Sequence, residues 1–268
     1  MSYPKANRFH EPARTSYHME PAMSSSARMA PSRSRRLPTL LLCVTTGLLA
    51  ACASRTPSPP APLPVVHRIN VLPVRPIERL YTENKGIPVG ALWQALADRI
   101  KSNSFTELMD ETRKNMGPRM TAALVRRLKE QGFEARVLDG VDRPAKSPED
   151  IDYARIPGDD PVLHVHFYDV GMYSSRFSLA YKPRVNVGVA FLRPRDEDYL
   201  YSESIYYGAD ADAGPPTSGS VPADERHVWT SFDEMVRKSD DVARSYEDAV
   251  DTLAARIATN IRARTTLN

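Results

Sequence analysis

The chain predicts an α/β (α+β) sandwich: a mixed sheet of about five strands, with an antiparallel meander and helices packed on it. Three observations carry this expectation. Leu163, Val165 and Phe167 alternate with His164, His166 and Tyr168, and Val185, Val187, Val189 and Phe191 repeat the alternation, which is the period-two signature of half-buried strands. Val242, Tyr246, Val250, Leu253, Ile257 and Ile261 recur at spacings of three and four, giving a C-terminal amphipathic helix. Between a first β-branched run at residues 65–72 and the meander lie helical patterns, so the element order is β, helices, β, three strands, helix.

Residues 1–28 are polar and rich in Ser, Pro and Arg, and read as an over-extended translation start or a disordered extension. Residues 29–51 follow the plan of an export signal. Arg33, Arg35 and Arg36 form a positive region, and Leu37 to Ala50 form an apolar run. That run is shorter than the roughly 20 apolar residues a membrane-spanning helix needs. Leu49-Ala50-Ala51-Cys52 closes it and resembles the lipobox of bacterial lipoproteins. The resemblance implies cleavage between Ala51 and Cys52, a diacylglyceryl group and fatty acyl chain on Cys52, and no other cofactor. Ala53 in place of an aspartate implies sorting to the periplasmic face of the outer membrane. Residues 52–64 then form a linker with five prolines between 53 and 64. At about 3.1 Å per residue such a segment reaches on the order of 35 Å.

Removing residues 1–51 changes the sign of the charge. The whole chain has 36 Lys+Arg and 33 Asp+Glu; the leader holds 7 and 2 of these, leaving 29 against 31 and a net of −2. A weakly acidic chain lacks the clustered basic face that nucleic acid requires. Cys43 and Cys52 are the only cysteines, so an internal disulfide is excluded from the remainder, whose stability must come from packing. Residues 65–265 are long enough for a single periplasmic domain that buries roughly 70% of its unfolded surface.

Within that domain, Val65 to Leu72 reads as a strand ended by Pro73. Leu92, Trp93, Leu96 and Ile100, followed by Phe105, Leu108 and Met109, suggest one or two helices. A further helix is expected after Gly117, with Pro118 at its first position, Met120, Leu124 and Leu128 on one face, and a stop at Gly132. Phe133 to Leu138 reads as a strand, and residues 139–160 as a polar loop. Arg193 to Asp198 is a turn, Tyr199 to Tyr207 completes the meander, and Asp210 to Asp224 is a Gly-, Pro- and Ser-rich loop. Asp240 and Asp241 near the start of the last helix, and Arg256, Arg262 and Arg264 near its end, suit the helix macrodipole.

Chemistry-bearing patterns are few. His164 and His166 project to one side of a strand and could share a metal, with His67 as the nearest-looking third ligand, but no spacing ties it to the pair. Glu149 and Asp150 follow Pro148 in a polar loop, where a solvated turn is the simplest reading. Nucleophile-elbow, zinc-helix, phosphate-loop and dinucleotide motifs are missing from the sequence. The expectation is therefore a chain with no catalytic residues and no metal. Seven of the twelve tyrosines lie between Tyr168 and Tyr207. Tyrosine suits half-buried sheets and protein interfaces alike. The first of these uses would bury the group under helices. The second makes Tyr173, Tyr181, Tyr199, Tyr201 and Tyr206, with the loop from Gly171 to Tyr181, a partner-binding face.

The runs HRINVLPV, RLKEQGF and PVLHVHFYDVG, taken in order, resemble envelope lipoproteins that share a fold like the amino-terminal domain of TolB and the periplasmic domain of the curli secretion lipoprotein. The resemblance covers residues 66–138 and 160–262, with residues 76–115 as an insertion. It implies a binding or assembly module in the bacterial envelope, held to the membrane by its lipid, with another envelope protein or a second copy of itself as partner. A glycan- or small-molecule-binding domain and a metal-dependent enzyme at His164 and His166 are the alternatives.

Overall fold

The computed structural model describes residues 62–84, 91–147, 149–174, 180–211 and 219–267, with the backbone alone at Asn84 and 91–99. The expected leader, the lipobox-like run Leu49 to Cys52 and most of the expected proline linker lie outside these residues. From Pro60 onward the chain gathers into one compact unit. Its elements are β1 (Arg68–Val71), β2 (Tyr81–Asn84), α1 (Ala91–Leu108), α2 (Asp110–Glu130), β3 (Glu134–Val137), β4 (Val162–Ser174), β5 (Tyr181–Arg193), β6 (Asp198–Gly208), β7 (Ser220–Val221), α3 (Phe232–Arg237) and α4 (Ser239–Ala263). The expected fold class is the observed one, with a seven-stranded open sheet in place of about five strands. No helix among the described residues is long and apolar enough to cross a membrane.

The sheet runs β3-β1-β4-β5-β6-β7, with β2 also on β4. β4 and β5 form a long antiparallel pair, and β6 continues it as the expected meander. Along its other edge β4 takes two parallel partners in succession. β1 meets Val162 and Leu163, and β2 meets Gly171 to Ser174. Between them the chain must leave the ladder, because Pro73 and Pro76 have no N–H to donate. It is held there by α2, where the Thr121 hydroxyl accepts from the Val74 N–H at 2.8 Å and the Arg113 carbonyl from the Ile77 N–H at 3.2 Å.

α2 corrects one expectation. Pro118 is inside the helix and not at its first turn; the helix begins eight residues earlier, where Asp110 and Glu111 suit its N-terminal dipole. Gly117 is there because the chain after β1 crosses at that point. A Cβ would stand 2.5 Å from the Val74 carbonyl oxygen and 2.6 Å from the Arg75 carbonyl carbon. Gly132, at φ 91°, does end the helix in the left-handed region.

α2 and α4 lie against one face of the sheet. Val242, Val250, Leu253, Ile257 and Ile261 are completely buried against Leu163, Val165, Val185, Val187, Val189, Phe191 and Ile205. At about 1.5–3 kcal/mol for each buried aliphatic side chain, the five contribute on the order of 10 kcal/mol gross. That is comparable with the whole net stability of a domain, about 5–15 kcal/mol, so α4 belongs to the core and not to a detachable partner-binding arm. Arg119–Glu247 at 2.7 Å and Arg126–Asp251 at 2.6 Å join the exposed sides of α2 and α4, and as surface pairs each adds under about 1 kcal/mol.

β4 keeps its apolar face only by means of a bulge. Leu163, Val165 and Phe167 oppose Phe191, Val189 and Val187, but Val170 opposes Val185 and Met172 opposes Pro183. The register shifts between Phe167 and Asp169, so buried positions pass from odd to even numbers. This extends the strand six residues beyond the expected Tyr168.

Candidate functional site

The sheet face turned away from α2 and α4 carries the polar chemistry. One end is covered by the segment after β3. Ile151, Tyr153 and Ile156 pack there on Leu72, Val162 and Leu192, a second apolar cluster distinct from the main core. Residues 139–160 are therefore more than a solvated loop.

Under this cover is a chain of polar contacts. The Tyr153 hydroxyl lies 2.7 Å from His164 Nδ1, and His164 Nε2 lies 2.9 Å from Glu149 Oε2. Arg143 donates to the same Glu149 oxygen at 3.2 Å and to the Pro73 carbonyl at 2.7 Å. His164 is 2% exposed, so breaking either link would leave a buried ring nitrogen without a partner, costing about 1–3 kcal/mol. Burial raises the Glu149 pKa, but the hydrogen bond from His164 and the positive charge of Arg143 outweigh it and leave the carboxyl below its ordinary range. Burial dominates at Tyr153, whose hydroxyl is held protonated well above its ordinary range.

His164 and His166 project together as expected, with ring centroids 5.5 Å apart. His166 lies over Gly188 on β5. A Cβ at Gly188 would stand 2.7 Å from its Nε2 and collide with the ring. Burial and nearby His164 lower the His166 pKa, favouring neutral imidazole. The third group is Glu149, whose place after Pro148 predicts only a solvated turn. Its carboxylate oxygen and the nitrogens of His164 and His166 lie within 4.8 Å of one another. His67 is exposed just before β1 and outside this group. Glu149 lies 15 residues before His164, and no local spacing could have paired them.

The expected tyrosine face divides. Tyr173, Tyr181 and Tyr201 are buried, at 8%, 2% and 4% exposure, which corrects their assignment as surface anchors. Tyr181 and Tyr201 belong to the main core. Tyr173 lies beneath the Arg184 guanidinium, 3.6 Å from its ring centre, while Arg184 bridges Asp169 at 2.7 Å and Asp210 at 2.6 Å. Tyr199 and Tyr206 remain exposed, joined by Tyr168. The Tyr168 and Tyr206 rings meet edge-to-face at 6.3 Å beside exposed Ser202 and Ser204. Of the loop from Gly171 to Tyr181, residues 171–174 are strand and 175–179 lie outside the described residues. A pocket lined by Leu138, Val141, Asp142, Pro144, Arg155 and Ile156 contains none of the site's His or Glu side chains.

No protein-family model and no curated relative matches the sequence. Among solved structures, the chain is similar to a Xanthomonas campestris protein of the DUF330 family, at 11% identity and a TM-score of 0.36, over 77% of this chain and 91% of that one. It is also similar to a lipoprotein of Neisseria meningitidis, at 17% identity and a TM-score of 0.28, over 57% and 88% of the two chains. At such TM-scores neither likeness bears on what the chain does.

Proposed function

We propose that the chain is a non-enzymatic envelope lipoprotein, held at the periplasmic face of the outer membrane through acylated Cys52, whose domain at residues 65–265 binds another envelope protein. The anchor rests on the arginines, apolar run and Leu49-Ala50-Ala51-Cys52 in order. The binding role rests on one observation: Tyr168, Tyr199 and Tyr206 stand exposed, with Ser202 and Ser204, on the sheet face that α2 and α4 leave open. Aromatic side chains with polar tips present large contact area at small entropic cost, which is why they anchor interfaces.

A photoreactive residue at Ser202 or Tyr206, in cells, should crosslink to a distinct protein, while one at exposed Lys129 on α2 should not. Equal products from both faces, or none from the sheet face, would remove the reading. A crosslink to a second copy would make the partner the chain itself. Tyr206-dependent retention of cell-wall glycan without a protein crosslink would replace protein binding with glycan binding. Cys52→Ala should abolish acylation and release the protein from membranes; continued acylation would refute the anchor.

A further inference from the structure

We infer that Glu149, His164 and His166 form a binding site for a single divalent transition-metal ion, with zinc the best match, on the sheet face opposite the helices. The inference does not depend on what the exposed tyrosines bind.

Two imidazoles and a carboxylate are a donor set that zinc accepts at about 2.0–2.1 Å, leaving a fourth position for water or another ligand. Tetrahedral ligands at that radius are about 3.4 Å apart. The three donor atoms already lie within 4.8 Å of one another, so no pair need approach by more than about 1.4 Å to reach that spacing.

The three ligands are held from three directions. β4 fixes the histidines two residues apart on one face. Glu149 is held by Arg143, itself bonded to the Pro73 carbonyl, and Ile151 and Tyr153 pin the chain that follows. The His166 ring fills the space over Gly188 that any other residue would occupy with a Cβ. A glycine in the middle of a central strand weakens it, and here that glycine seats an imidazole.

Tyr153 supplies the outer partner that a ligating histidine needs. Its hydroxyl can donate to His164 Nδ1 while Nε2–H bonds Glu149, or accept from Nδ1–H once Nε2 carries the ion. In the neutral histidine the proton moves from Nε2 to Nδ1, so ion binding replaces the Nε2–H to Glu149 hydrogen bond and leaves Nδ1 paired. A carboxylate has a second oxygen for the ion while Oε2 keeps its bond from Arg143. His166 and Glu149 are partly exposed, which gives the ion a route from solvent to the buried His164.

The test is titration of the untagged full chain with Co2+ alone, read by visible absorption, followed by displacement with Zn2+. One equivalent should bind with the intense absorption of a low-coordinate nitrogen–oxygen site, and Zn2+ should remove it. His166→Ala and Glu149→Gln should abolish the signal. Tyr153→Phe, which retains all three ligands, should weaken affinity by about 10- to 100-fold. Gly188→Ala should weaken it by displacing the ring. Circular dichroism and the urea midpoint of each variant establish that it is folded, and any variant that fails this check is replaced by His166→Gln, which keeps the size of the side chain. Absence of stoichiometric Co2+ uptake by the wild-type chain, or uptake unchanged in folded His166→Ala or His166→Gln and Glu149→Gln, would overturn the inference and leave the three groups as a packing network.

Discussion

Gly117→Ala tests how α2 is seated. In an exposed helix interior the change from Gly to Ala gains about 1 kcal/mol, so helix propensity alone predicts a more stable protein. The structure predicts the reverse. The new Cβ would stand 2.5 Å from the Val74 carbonyl oxygen and 2.6 Å from the Arg75 carbonyl carbon and oxygen, all backbone atoms that no rotamer change can move. Relief requires α2 and the segment after β1 to separate, and overpacking of that kind costs about 1–3 kcal/mol. Separation also stretches the 2.8 Å bond from the Val74 N–H to Thr121, and a buried N–H left unpaired costs a further 1–3 kcal/mol or so. Set against the propensity gain, the net is a loss of about 1–5 kcal/mol. Urea unfolding of the full chain, followed by far-ultraviolet circular dichroism, should show a lower midpoint at unchanged slope. A midpoint equal to or above that of the wild type would refute the close backbone crossing.

Tyr246→Phe should raise stability by about 1–3 kcal/mol, because its hydroxyl is fully buried and no described group bonds it; a lower urea midpoint would count against this. Burial pushes Tyr207 up to about 12, whereas an unfolded tyrosine ionises near 10. Its contribution is therefore complete below pH 10 and lost as pH rises through 12, so Tyr207→Phe should flatten the alkaline fall in stability over that interval. A profile unchanged by the substitution would contradict that sign. Arg143→Ala should cost about 1–3 kcal/mol by removing its bonds to the Pro73 carbonyl and to Glu149, which is left with His164 alone. It should also speed amide exchange between residues 149 and 156 more than in α4, and uniform exchange would show that Arg143 does not hold the segment.

The parts of this fold that the sequence discloses are those whose signal is local. α4 repeats its apolar spacing over twenty residues, so each turn reinforces the last and the register is unambiguous. The start of α2 carries a local signal in Asp110 and Glu111, but Gly117-Pro118 mimics a helix beginning and draws the expected start to the wrong place. Gly117 is explained by a backbone crossing 43 residues away in sequence from Val74, which no window can see. The tyrosines fail as a surface motif for a related reason. Tyr199 and Tyr201 are two apart on β6, yet the register shift between Phe191 and Leu192 makes Leu200 the extra residue and places one tyrosine outside and the other in the core. Glu149 joins His164 only because Ile151, Tyr153 and Ile156 anchor its segment on the sheet, a tertiary event without a sequence period.

The bulge at Tyr168 makes β4 a strand written in two phases. Before it, even positions such as His164 and His166 face away from the helices; after it, Val170 and Met172 keep even positions in the core. Substitutions in one half can therefore follow their own alternation without disturbing the other, so the histidine site and the hydrophobic seam are free to change separately. Deleting Tyr168 would merge the phases. Phe167 would then be followed directly by Asp169, which already opposes Asn186, so Leu163, Val165, Phe167, Val170 and Met172 would stay on the helix side in one unbroken alternation, at the loss of the extra twist that the bulge gives the strand.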